Sequence, residues 1–231
     1  MKTLLPVLLL ILMACQPKNK ESSSIDLPTT TAPMEPLTSI DSTSTPSYTE
    51  NALLLDSTGL SNQRTYMDTS WTRFSVAANK KYTYAIVAAR KADHHYKQLL
   101  ITDQANQREL ELTLVASEVA WDSAIDQRRN DWIRLCNAHH AAELINNLYL
   151  PEAIYYNHKP PITDRTALIA EYAYMNRPEY SLHLAPLHRE MVNTTFAFEI
   201  GQCSGSYGGK YMICWQKDAQ GKWMVFMDSN I

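Results

Sequence analysis

Two acids stand inside apolar runs. Glu199 interrupts Phe196-Ala197-Phe198-Glu199-Ile200, and Asp228 closes Trp223-Met224-Val225-Phe226-Met227. A carboxylate in apolar surroundings is the residue type that proton transfer employs, because burial brings its pKa towards the working pH. The same placement suits an acid that is salt-bridged or at a rim, and Ser229-Asn230 after Asp228 suits a turn. Trp132, Tyr149, Tyr155, Tyr172 and Trp215 fall in segments that would enclose the space beside these acids, either as pocket walls or as core.

The histidines carry less. His94 and His95 are adjacent, so they point to opposite sides of any element and read as surface residues. His139 lies at an apolar helical stripe and reads as core, while His183 and His188 are five apart in a strand and fall on opposite faces. No Cys/His/Asp spacing matches a zinc site, and there is no glycine-rich phosphate loop or Gly-x-Ser-x-Gly elbow. No metal or cofactor is therefore expected. A net charge of −3 without a basic run gives no footing for nucleic acid.

The elements that must position these residues centre on 196–228. Three alternating apolar runs are separated by two glycine-bearing turns, Gly208-Gly209 and Asp218-Ala-Gln-Gly221, which predicts an antiparallel meander. Upstream, Trp121, Ile125, Trp132, Leu135, Cys136, Ala142, Ile145 and Leu148 recur at helical spacing, predicting one long helix from a Ser117 cap to about Tyr149. Asp126, Arg129, Asn130 and Glu143 fall mostly on its other side. Pro151 opens a short helical turn through Ala153, 154–156 reads as a strand, and a third helix follows a Thr163 cap. Residues 51–117 are harder to read. Leu110, Leu112 and Leu114 alternate strictly, favouring a small β-rich unit with a hairpin near 104–106, against a helical hairpin suggested by its Ala, Lys, Gln and Glu content.

This order of elements resembles the nuclear transport factor 2-like (SnoaL-like, ketosteroid isomerase-like) α+β cone. The resemblance rests on Leu148-Tyr149-Leu-Pro-Glu-Ala153, on Ile162-Thr-Asp-Arg-Thr-Ala-Leu-Ile169, and on the three runs beginning at Ala197, Gly208 and Gly221. It covers residues 118–231 and implies a curved antiparallel sheet packed on three helices. Departures occur at Asp164 and at His139-His140. By resemblance, enzymes of this group use a buried carboxylate as general base with a tyrosine or protonated acid as oxyanion donor. That would make Glu199 the base, with a tyrosine as its partner. Pairing of two copies through the exposed sheet face is also implied. The leading expectation is a non-catalytic module that binds a small apolar ligand or a protein partner; an isomerase-, cyclase- or hydrolase-type enzyme is the alternative.

Cysteine usage and the N-terminus give a location. A basic Lys2, a short apolar run and Ala14-Cys15 resemble a lipoprotein signal, 1–14, with Cys15 as the lipidated residue. An ordinary signal peptide or a signal anchor is the other reading. Lipidation would attach the protein to a bacterial envelope membrane, and Gln16 leans towards the outer one. Residues 15–50 are rich in Ser, Thr and Pro and read as a disordered tether. That leaves Cys136, Cys203 and Cys214. With Gly208-Gly209 as a two-residue turn, Cys203 faces Cys214 at about 4.5–5.5 Å between Cβ atoms, within reach of a disulfide. A four-residue loop would make them diagonal, and a three-residue loop would put them on opposite faces. Cys136, on the helical stripe, reads as an inert buried thiol.

Overall fold

The structure is a computed structural model and describes residues 45–231. The expected signal peptide, Cys15 and most of the expected tether lie outside the described residues. The first strand, β1 (Tyr48–Asp56), starts within the last residues read as tether.

Every element named between residues 48 and 115 is a strand. β2 (Gly59–Ser61), β3 (Thr69–Ala77), β4 (Tyr82–Lys91), β5 (His94–Asp103) and β6 (Arg108–Val115) join β1 in a sheet of order β2-β1-β6-β5-β4-β3. The expected hairpin is the β5–β6 connection. Asp103 accepts from the backbone N–H groups of Ala105 and Gln107, and Asn106 takes the positive φ of 58° that its type tolerates. His94 and His95 are exposed at the start of β5.

The second sheet has the order β7-β11-β10-β9-β8, built from β7 (Tyr149–Tyr156), β8 (Leu182–Met191), β9 (Phe196–Gly205), β10 (Gly209–Lys217) and β11 (Trp223–Ser229). Helices α1 (Ala124–Asn137), α2 (Ala141–Leu148) and α3 (Arg165–Glu171) cover one of its faces. The first sheet covers the other. Leu99, Ile101, Leu110 and Leu112 of the first sheet share one core with Phe198, Met212, Cys214 and Met227. The Tyr84 hydroxyl also lies 3.2 Å from Ser229 Oγ. This explains why β9, β10 and β11 are apolar on both faces, where a meander with one wet face would alternate with polar residues. Each large side chain so enclosed contributes about 1.5–3 kcal/mol of burial. The face that the resemblance would offer to a second copy is thus occupied by the chain's own first sheet.

Several local expectations need correction. The single long helix is two. Asn137 turns away from it to exchange hydrogen bonds with the Leu182 backbone, His139 takes a φ of 62°, and the N–H of Ala141 is capped by Asn176 Oδ1. The helix also starts later than Ser117, at Ala124, whose N–H is bonded to Asp122 Oδ1. Pro151–Ala153 is not helical. It belongs to β7, an edge strand, where a missing N–H costs nothing to the ladder. Asp164 rather than Thr163 caps α3, accepting from Ala167 N. A bulge between Pro186 and His188 restores the parity that five residues would break, so His183 and His188 share a face; His188 stacks on Phe74 of the first sheet.

The expected Cys203–Cys214 bridge is also absent. Cys136, Cys203 and Cys214 are all free and buried. The β9–β10 register pairs Cys203 with Gly209 and Cys214 with Phe198, because the chain turns through 206–208 instead of at Gly208-Gly209. That register difference is odd, so it sends the two thiols to opposite faces.

Candidate functional site

The central strands aim both acids at the helical side. Ile213 on β10 pairs with Glu199 on one flank and Asp228 on the other, so the three side chains share a face. Their surroundings then give them different roles.

Glu199 is fully buried and held by Arg129 of α1. Arg129 donates from Nε to Oε1 at 2.6 Å and from Nη2 to Oε2 at 2.7 Å, and the Tyr211 hydroxyl donates to Oε1 at 2.7 Å. Nη2 also reaches Asp126 Oδ1 at 2.8 Å. Burial pulls the Arg129 guanidinium down, but the bonds and charge of Glu199 outweigh it and hold the group above its ordinary value. A two-pronged arginine pair of this kind occupies the lone pairs a base would need. Glu199 is therefore the salt-bridged residue of the two readings, not a free base. Arg129 was missed as a site residue although its spacing signals it: it stands four after Ile125 and three before Trp132, on the apolar stripe, and is 6% exposed.

Asp228 is different. It is 1% exposed and has no cationic partner among the described residues; its Oδ2 accepts from the Tyr149 hydroxyl at 2.9 Å and from the Tyr172 hydroxyl. The Tyr149 and Tyr172 hydroxyl oxygens lie 2.9 Å from each other, each spending its one hydrogen on Asp228. Burial pushes the Asp228 carboxyl up to about 6, against the opposing pull of the two hydroxyls. Burial, and then the charge of Asp228, drives both tyrosines well above their ordinary range, so they remain donors.

A cavity of about 20 Å³ opens beside Asp228, room for roughly one water molecule. Trp132 of α1 and Tyr172 wall it together with Asp228. Tyr149 is not part of the lining; it bonds Asp228 through its hydroxyl, and its ring packs against Trp132 at 5.4 Å. Tyr155 stands to one side, stacked edge-on against Tyr172 and bonded to Asn230 Oδ1 at 2.6 Å. Trp215 is wholly buried, packs edge-on against Trp132 and does not reach the cavity; it is core. Sequence reading missed Tyr174, Tyr180 and Tyr207, and named Cys203 only for a disulfide; all four are part of the lining. Tyr174 and Tyr180 lie in the 3-10 turn Tyr172–Asn176 and the segment after it, and Tyr207 in the β9–β10 turn. No periodicity marks such positions. Burial lifts the Cys203 thiol to about 12, so it lines the cavity as an uncharged group.

From α1 to β11 the elements run helix pair, edge strand, third helix, then an antiparallel meander, the order that the sequence resemblance implies. The chain is similar to an NTF-2-like protein of unknown function from Shewanella oneidensis MR-1, at 14% identity over 46% of this chain and 95% of that one, with a TM-score of 0.41. A ketosteroid isomerase-like protein from Erwinia carotovora atroseptica SCRI1043 is similar at 12% identity, covering 46% of this chain and 92% of that one, with a TM-score of 0.37. A conserved protein from Planctomyces limnophilus DSM 3776 is similar at 14% identity, covering 46% and 91%, with a TM-score of 0.39. No protein-family model and no curated protein matches the chain.

Proposed function

We propose that this is a lipid-anchored protein of the bacterial cell envelope whose cone takes up a small ligand at the Asp228 cavity without transforming it. One observation carries the reading: the cavity is walled largely by aromatic side chains, and a buried carboxylate fed by two tyrosine hydroxyls faces it. Aromatic walls with a few convergent polar groups are the usual chemistry of a small-molecule site. The present cavity admits about one water, so entry of a ligand requires the β9–β10 turn carrying the half-exposed Tyr207 to move outward. A homodimer, with the sheet face covered, must use another surface. Native mass spectrometry of the purified protein tests the reading. It should show a discrete small-molecule adduct that a Tyr207→Trp variant, with the entrance narrowed, carries less of. A wild-type spectrum of bare protein alone would count against it.

An enzymatic reading keeps one support, with Asp228 in place of Glu199. A carboxyl held at about 6 beside two hydroxyl donors is poised for proton transfer near neutral pH. The location has its own test. Cys15→Ser should move the protein from the detergent phase to the aqueous phase in detergent partitioning of cell extracts, as loss of an acyl anchor would.

A further inference from the structure

Resting on the ligand-binding reading of this cavity, we infer that its ligand is a small organic cation, an alkylated ammonium group caged by tyrosine rings above the Asp228 carboxylate. Three features of the site point there together. Among the described residues that line the cavity there is no lysine, arginine or histidine, so the carboxylate at its base faces no countercharge. Asp228 is 1% exposed, and its hydrogen bonds come from neutral hydroxyls that converge on Oδ2. The walls are aromatic and set at angles to each other. Tyr172 and Tyr174 are roughly parallel with centroids 6.1 Å apart, and Tyr180 stands across Tyr174 at 69° and 5.6 Å.

All three favour a cation. A buried carboxylate without a countercharge is costly, and its upward drift to about 6 expresses that cost. A cation placed over it removes the cost. Aromatic faces attract that cation through their quadrupoles and tolerate its methyl groups, which a water-filled anion site would not. A neutral apolar ligand gains only the second of these terms. An anion is repelled. The neighbouring acid Glu199 does not compete for the cation, because Arg129 already satisfies it. Tyr207, on the β9–β10 turn, is the wall nearest solvent: it is 37% exposed yet lines the cavity.

The experiment is a calorimetric titration of the full-length protein with choline, beside 3,3-dimethyl-1-butanol, its neutral isostere. Choline should bind at least about tenfold more tightly than the isostere, since a desolvated cation–aromatic contact alone is worth about that factor. Asp228→Asn should weaken choline by at least about tenfold and leave the isostere unchanged. Tyr207→Ala, at a surface turn where folding is least at risk, should weaken choline several-fold. Equal binding of choline and the isostere overturns the cation inference while the ligand-binding reading stands. Binding of neither also overturns it; if native mass spectra of the same protein carry no adduct, the ligand-binding reading falls as well.

Discussion

Replacing Arg129 with methionine is the sharpest test of what Glu199 does. Methionine fills much of the guanidinium's space on α1 but donates nothing. Glu199 is then left with Oε2 bare and Oε1 served by Tyr211 alone, at a position with no solvent exposure. Removing one partner of a buried pair strands the other charge and costs about 3–5 kcal/mol. A unit of this size loses roughly 2–4 °C of Tm per kcal/mol, so the expected drop is roughly 6–20 °C. Urea unfolding followed by tryptophan fluorescence reads it directly, since Trp132, Trp215 and Trp223 are all buried. The double variant Arg129→Met, Glu199→Gln should recover most of the loss, because no charge is then stranded. The reasoning fails if Arg129→Met stays within about 1 kcal/mol of wild type. It fails equally if Glu199→Gln abolishes ligand binding with stability unchanged, for Glu199 would then belong to the site.

Three further outcomes follow from the same geometry. Asp228 titrates near 6 in the folded chain against an ordinary value of 3.8, so its contribution to stability is complete below about pH 4 and declines as pH rises through 6. The difference between wild type and Asp228→Asn, followed by urea unfolding from pH 4 to 8, should show a fall of about 3 kcal/mol; a flat difference would contradict the burial of an ionising carboxyl. Peptide mapping without reductant should find Cys136, Cys203 and Cys214 as free thiols, and a linked Cys203–Cys214 peptide would overturn the β9–β10 register. Gly205 has a φ of +119°, and an added Cβ would lie 2.3 Å from the Ser181 carbonyl oxygen. Gly205→Ala should cost about 2 kcal/mol or more in urea unfolding and disturb the turn that carries Tyr207; an unchanged midpoint would mean the turn rearranges freely.

What the sequence revealed depended on how local the signal was. The meander was legible because 196–200, 211–215 and 223–227 announce strands, and Asp218 to Gly221 makes a self-contained turn in which Asp218 Oδ1 accepts from Gln220 N and Lys222 N. The strict alternation of Leu110, Leu112 and Leu114 likewise marked β6 correctly. The Cys203–Cys214 pairing failed because register hung on one turn, and Gly208-Gly209 looked like a better turn than 206–208. Pro151 read as a helix start because nothing nearby shows that β7 is the edge strand beside β11. Glu199 was visible as a buried acid, but its partner was read off the wrong side of the helix. The cavity was the least legible feature. Asp228, Trp132, Tyr172 and Tyr207 come from a strand end, a helix and two turns, and only the closed sheet brings them together.

The central claim is that the Asp228 cavity holds a ligand in the working protein. A crystal structure of the protein as isolated from its own cells tests this most directly. The account predicts non-solvent density against Asp228 and the tyrosine walls, with the β9–β10 turn moved outward from its present position. A cavity holding a single water, with Tyr207 where it now stands and any co-purified molecule bound elsewhere, would contradict it.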